Sequence, residues 1–169
     1  MKLYSENHKI FVDRLFNLII NYYQERLISL ALFGSYARNE NRPNSDIDLI
    51  IVADFPKEQG RLNRQREFIE NVEMSLSTLE LELFKVGIST DISSLLLSPA
   101  EANRFLPIYL DMVDHVKIFK DQNQFLENRI QKTKVQRQKW GSQKITQGNH
   151  WLWDITPHKK WNEVVDYDK

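Results

Sequence analysis

Apolar residues change spacing several times along this chain, and the changes mark its elements. From about residue 6 to 26, Phe11, Leu15, Leu18, Ile19 and Tyr22 repeat at three- and four-residue intervals, which predicts an amphipathic helix with one buried stripe. Leu27 to Phe33 is instead a short unbroken apolar run that stops at Gly34-Ser35. A buried strand is expected there, followed by a helical turn over Ser35 to Glu40. Asn41-Arg42-Pro43-Asn44-Ser45 is turn chemistry. The run Ile47 to Ala53 is rich in β-branched residues and reads as a central strand.

A long helix is predicted from about Arg61 to Lys85, with Leu62, Phe68, Ile69, Val72 and Leu79 as its buried positions. Gly87 opens a strand-like segment from Ile88 to Leu97. Ser98-Pro99-Ala100-Glu101 combines a capping serine, a first-turn proline and a glutamate three residues after the cap, which starts a helix. Pro107 interrupts that helix. A short strand is expected at Val116 to Phe119, then a polar, basic helix from about Gln124 to Trp140 that Gly141 stops, then an irregular tail rich in tryptophan. This order gives an α/β (α+β) sandwich, a small mixed sheet flanked by helices. Residues 1–121 are read as the domain, and 122–169 as a helix and tail that pack on it.

Composition narrows the chemistry. With 169 residues, 41% of them apolar, the chain can bury a core without covalent staples. It has no cysteine, which excludes disulfides and thiolate metal sites, and four scattered histidines do not form a zinc pattern. Asp13 and Arg14 break the first apolar stretch, so no signal peptide is read, and no run approaches the ~20 apolar residues of a membrane span. A soluble, cytoplasmic protein without membrane contact is the expectation. Lys+Arg and Asp+Glu both number 23, so net charge does not favour nucleic acid as a partner. Charged residues between Arg129 and Lys144 are all basic, and they are read as the solvated face of a helix.

Two short segments carry candidate chemistry. In Leu32-Phe33-Gly34-Ser35-Tyr36-Ala37-Arg38, a glycine and a small hydroxyl stand where a buried strand turns into a helix. Unpaired N–H groups at such a turn favour an anionic phosphate, glycine lets the backbone approach it closely, and Ser35 adds a hydrogen bond. In Ser45-Asp46-Ile47-Asp48-Leu49, two carboxylates at alternate strand positions point to one face. Like charges so placed call for a cation or a shared proton, and hard oxygen donors suit Mg²⁺. Each segment alone is ordinary; a turn and a strand start are common features.

Together they read Gly34-Ser35, ten residues from Tyr36 to Ser45, then Asp46-Ile47-Asp48. That signature resembles the nucleotidyltransferase superfamily that includes DNA polymerase β and kanamycin nucleotidyltransferase, and is most like its minimal members. The match runs over about residues 10 to 54 and more loosely to about residue 120; the last fifty residues have no counterpart in the shortest members. The resemblance implies transfer of a nucleoside monophosphate, usually AMP from ATP, to an acceptor hydroxyl with release of pyrophosphate. It assigns two Mg²⁺ ions to Asp46 and Asp48, triphosphate binding to Gly34 and Ser35, and phosphate neutralisation to Arg38, for which a surface ion pair is the competing reading. A third family carboxylate falls on Asp91, for which an ordinary surface aspartate is the competing reading. The acceptor is not identified by these residues; a protein is one option. Among minimal members are antitoxins that modify HEPN-type toxins, and a non-catalytic nucleotide- or partner-binding module is a further alternative.

The remaining signals are weaker. Trp140, Trp151, Trp153 and Trp161 are expected to anchor the tail on its own domain rather than to stack on a base. His8, His115, His150 and His158 are read as surface or packing residues.

Overall fold

The structure is a computed structural model that describes residues 1–148, 150–160, 163 and 165–168, so Trp161 and the side chain of His150 lie outside the described residues. Helix α1 (Glu6–Tyr23) begins where the Ser5 hydroxyl accepts the His8 N–H, and it buries Phe11, Val12, Leu15, Phe16, Ile19 and Tyr23. A 3₁₀ turn over Gln24–Arg26 takes the place of its predicted last turn. Strand β1 (Leu27–Leu32), the single turn α2 (Gly34–Ala37) and strand β2 (Ile47–Ala53) follow, as the apolar runs and the glycine predict.

The helix expected from Arg61 to Lys85 is broken. Helix α3 (Arg61–Asn71) ends at Val72, a 3₁₀ turn covers Glu73–Leu76, and α4 (Ser77–Lys85) continues in a new direction. The break turns Phe68, Val72, Leu76 and Leu83 into the core and leaves Leu62 85% and Ile69 40% exposed, against the expectation for those two. Strand β3 (Ile92–Leu97) starts later than predicted, because residues 88–91 form a loop whose Ser89 N–H bonds the Pro43 carbonyl. The Ser98 capping box opens α5 (Pro99–Ala102), and Pro107 starts α6 (Ile108–Met112). Strand β4 (Lys117–Asp121) leads into α7 (Phe125–Trp140), whose first free N–H groups, at Leu126 and Glu127, bond the Asp121 carboxylate.

The four strands form one mixed sheet in the order β3-β2-β1-β4, with β2 and β3 parallel and the other pairs antiparallel. Apolar side chains of α1, α3 and α4 cover one face, and those of α5, α6 and α7, including Leu126 and Ile130, cover the other. The tail departs from the irregular form expected. Gln143–Gln147 (β5) and His150–Asp154 (β6) pair as an antiparallel hairpin. Nor is the basic helix simply a solvated face: Arg129 is buried, and Arg137 makes a two-pronged bond to Asp114. Among the described residues no helix is long and apolar enough to cross a membrane.

Candidate active site

The site is assembled at the end of β1 and the start of β2, neighbours in the middle of the sheet. Phe33 N–H bonds the Asp48 carbonyl at 3.0 Å, which fixes the turn against β2. Gly34 then takes φ +64°, and a Cβ there would stand 2.0 Å from Asp48 Oδ2. Only glycine serves, for both backbone angle and space. Helix α2 is a single turn, so its macrodipole is small, and attraction for an anion would have to come from the turn's N–H groups, Ser35 and Arg38.

Beneath the turn, Tyr36 is fully buried and its hydroxyl lies 3.1 Å from His8 Nε2. Burial pushes the Tyr36 phenol up to about 12 and holds His8 below its usual pKa, so the pair is uncharged scaffolding. His8 thus belongs to the packing, not to the surface. The turn carrying Asn41 to Ser45 is pinned from two sides. Asn41 exchanges two hydrogen bonds with the backbone of Lys2, at 2.9 and 2.8 Å, and Pro43 accepts from Ser89 N–H at 2.7 Å. Arg42 N–H bonds Ser45 Oγ at 2.9 Å, closing the loop before Asp46.

Asp46 is exposed and Asp48 half-buried. Burial, then the charge of Asp46, push the Asp48 carboxyl up to about 6; Arg38 and a hydrogen bond from Ser93 act in the opposite direction. Ser93 stands beside Asp48 in the β2–β3 register. Arg38 is itself held: its Nε bonds Glu40 at 2.7 Å and its guanidinium lies 4.7 Å from the Trp151 ring centre. Ser35, Arg38, Arg42, Ser45 and Trp151 line one cavity of about 630 Å³.

Five predicted site residues, Gly34, Ser35, Arg38, Asp46 and Asp48, are therefore brought together. Asp91 sits at the edge of this group. Its carbonyl accepts the Ile47 N–H at 2.8 Å, next to both aspartates, while its carboxylate accepts the Ser89 hydroxyl at 2.7 Å and adds to burial in raising the pKa of Glu80 on α4. Among the described residues no three His, Cys, Asp or Glu side chains are grouped closely enough to hold a metal. The donor set is a carboxylate pair. Two oxygen-donor acids stand on one strand face, one of them raised above its usual pKa by burial and then by the charge of the other, and such a pair could hold a hard cation.

Sequence reasoning did not find Arg42, Ser93 or Trp151. Ser93 was discoverable in principle, since it shares strand parity with Asp91. Trp151 was expected only to pack; its Nε1 does bond Asp111 at 2.9 Å, but its ring also walls the site. Nothing local in the sequence signals that contact.

The sequence model of the family described as "Nucleotidyltransferase domain" matches residues 17–96. A chain of Methanocaldococcus jannaschii described as a "putative protein adenylyltransferase" is 32% identical over 111 residues, covering 64% of this chain and 68% of that one. Among solved structures, spectinomycin adenyltransferase AAD(9) of Enterococcus faecialis, with ATP and spectinomycin, aligns with a TM-score of 0.51 at 12% identity, over 70% of this chain and 58% of that one. A toxin–antitoxin structure with AMP-PNP aligns at TM-score 0.47 and 17% identity, over 76% of this chain and 91% of that one.

Proposed function

Because this chain belongs to the nucleotidyltransferase family, we propose that it moves AMP from ATP to a hydroxyl of a protein acceptor, with Mg²⁺ as the resident cation. The observation that carries the proposal is the closure of the Gly34 turn onto Asp48, which sets a glycine-serine turn directly against one of two neighbouring carboxylates. AMP as the group and protein as the acceptor follow the description of the 32% identical relative.

The geometry supports the following roles. Ser35 and the N–H groups of its turn bind the triphosphate, and Arg38, with its Nε tied to Glu40, turns its remaining N–H edge to phosphate oxygens. Arg42 lies in the same cavity and adds a second cation for the leaving pyrophosphate. Asp46 and Asp48 would hold the Mg²⁺, which when bound neutralises charge on the attacking and leaving oxygens. Asp91, whose carbonyl accepts the Ile47 N–H between the two aspartates, would be the third carboxylate. Tyr36 and His8 keep the turn in place from below.

Two measurements test this reading. Calorimetry should show ATP binding that requires Mg²⁺ and is lost in Asp46→Asn and Asp48→Asn. In a cell extract with added enzyme, label should pass to protein from ATP marked on the α-phosphate and not from ATP marked on the γ-phosphate. Each aspartate variant should cut that transfer by about 10²-fold or more. Transfer of the γ-label, or transfer indifferent to both aspartates, would end the proposal.

A further inference from the structure

An in-line displacement needs two approaches to one phosphorus, and two cavities border the segments that carry these carboxylates: one reaches Ser45, next to Asp46, and the other reaches Asp91, whose carbonyl accepts the Ile47 N–H. The first is lined by Ser35, Arg38, Glu40, Arg42 and Ser45, among others. The second, about 390 Å³, opens on the β3 edge beside α4 and is lined among others by Glu80, Leu81, Phe84, Ser89 and Asp91. The hydrogen bonds Ser89 N–H to Pro43 and Ile47 N–H to the Asp91 carbonyl join the rim of the second cavity to the loop and strand that carry Asp46 and Asp48.

The two cavities differ in charge. The first has Arg38 and Arg42 against one acid, Glu40, which is paired with Arg38, whereas the described lining of the second has Glu80 and Asp91 and no basic side chain. A pyrophosphate leaving toward the arginines would put the attacking oxygen on the side away from them, in line with it. That side is also unusually apolar for a surface. Leu81 and Phe84, one helical turn apart on α4, are 63% and 76% exposed, and Val86 at the end of the same helix is 68% exposed.

We propose that the α4–Asp91 groove is the acceptor-docking site, and that its occupant is a polypeptide segment bearing the acceptor hydroxyl, an apolar side chain and a neighbouring Lys or Arg. The proposal rests on the transferase reading above. The apolar residue seats on Leu81 and Phe84, the cation pairs with Glu80, and the hydroxyl is delivered past Asp91 to the α-phosphorus. The hydroxyl oxygen bonds that phosphorus as the bond to the bridging oxygen breaks. Pyrophosphate leaves on the arginine side, and the hydroxyl proton passes to the neighbouring carboxylates.

The test uses the full chain, ATP labelled on the α-phosphate, Mg²⁺ and short synthetic peptides with one central Tyr, Ser or Thr. Three flank sets are compared: Leu/Phe with Lys/Arg, Leu/Phe with Asp/Glu, and Gly/Ser alone. The apolar-basic set should be labelled about tenfold better than either other set. Phe84→Ser should erase the advantage of the apolar flank, and Glu80→Lys should shift preference to the acidic set. Both side chains lie at the rim, so calorimetric ATP affinity should stay within about twofold and thermal melting should confirm folding. Equal labelling of all sets, a preference that neither variant alters, or no peptide labelled by an enzyme that binds Mg²⁺ and ATP would overturn the docking proposal. Absence of ATP binding by the wild-type chain would instead overturn the transferase reading on which it rests.

Discussion

At Asp48 a half-buried carboxylate lies against Gly34 beside the like charge of Asp46, and its pKa stands at about 6 rather than 3.8. A carboxyl raised in the folded state binds its proton more tightly there than in the unfolded chain. Folding stability must then fall as pH rises from about 4 to about 6, and stay lower above that. Removing the charge removes this penalty. In the absence of divalent ions, Asp48→Asn should be more stable than wild type at pH 7.5 by about 1 kcal/mol, a figure discounted for solvent screening of a half-exposed group. At pH 3.5 the two should melt together. Mg²⁺ with ATP should then raise the wild-type melting temperature and leave the variant's unchanged, since only the native carboxylate pair gains a ligand. Scanning calorimetry at both pH values measures all of this. A variant that melts lower than wild type at pH 7.5 would show that the carboxylate is not under strain.

Among the elements, the junction of β3 with α5 shows a cap doing more than ending a helix. Glu101 accepts from the Ser98 N–H at 2.8 Å and hydroxyl at 2.9 Å, and from Arg64 on α3 at 2.5 Å. Arg64 is buried, spans the Gln59 carbonyl and lies over Phe55, so this carboxylate ties α3 to the far side of β3. Against the upward push of burial, those bonds hold Glu101 down at about 2. Its contribution is present above the ordinary glutamate value of 4.5 and is lost as pH falls toward 2. Glu101→Ala should cost about 1–2 kcal/mol at neutral pH in urea unfolding, and the difference from wild type should shrink steadily below pH 4.5. The cap was legible in Ser98-Pro99-Ala100-Glu101 because its bonds join near neighbours; the Arg64 partner was not, because thirty-seven positions separate it from Glu101. The same divide explains the broken helix. Leu62 and Ile69 fit a helical stripe, but packing of Phe68 and Val72 under the sheet decided where the helix had to turn. The hairpin escaped notice for a related reason: β5 is exposed throughout, so no alternation of buried and exposed positions announces it.

For the whole molecule, the legible part of the site is the part written within fifteen residues, from Gly34 to Asp48. What completes it comes from the far end of the chain. The β5–β6 hairpin is fastened to α6 at one carboxylate, where Asp111 accepts from Trp151 at 2.9 Å and Trp153 at 3.2 Å and pairs with Lys144 at 3.5 Å. So anchored, Trp151 presents its ring to the Arg38 guanidinium, and Glu40 holds Nε. In the proposed function, the guanidinium edge of Arg38 not bonded to Glu40 is the one that meets phosphate. Loss of the ring should free the guanidinium without touching the carboxylates, so binding of the triphosphate should suffer more than the chemical step. Trp151→Ala should raise the KM for ATP roughly fivefold, equivalent to about 1 kcal/mol, with kcat changed much less. Trp151→Phe, which keeps an aromatic face, should recover most of the affinity, and Asp111→Asn should behave like a partial Trp151→Ala because it loosens the same anchor. If the hairpin merely packed, these variants would lower the melting temperature alike and leave the KM for ATP where it was; steady-state kinetics on the folded variants separates the two outcomes.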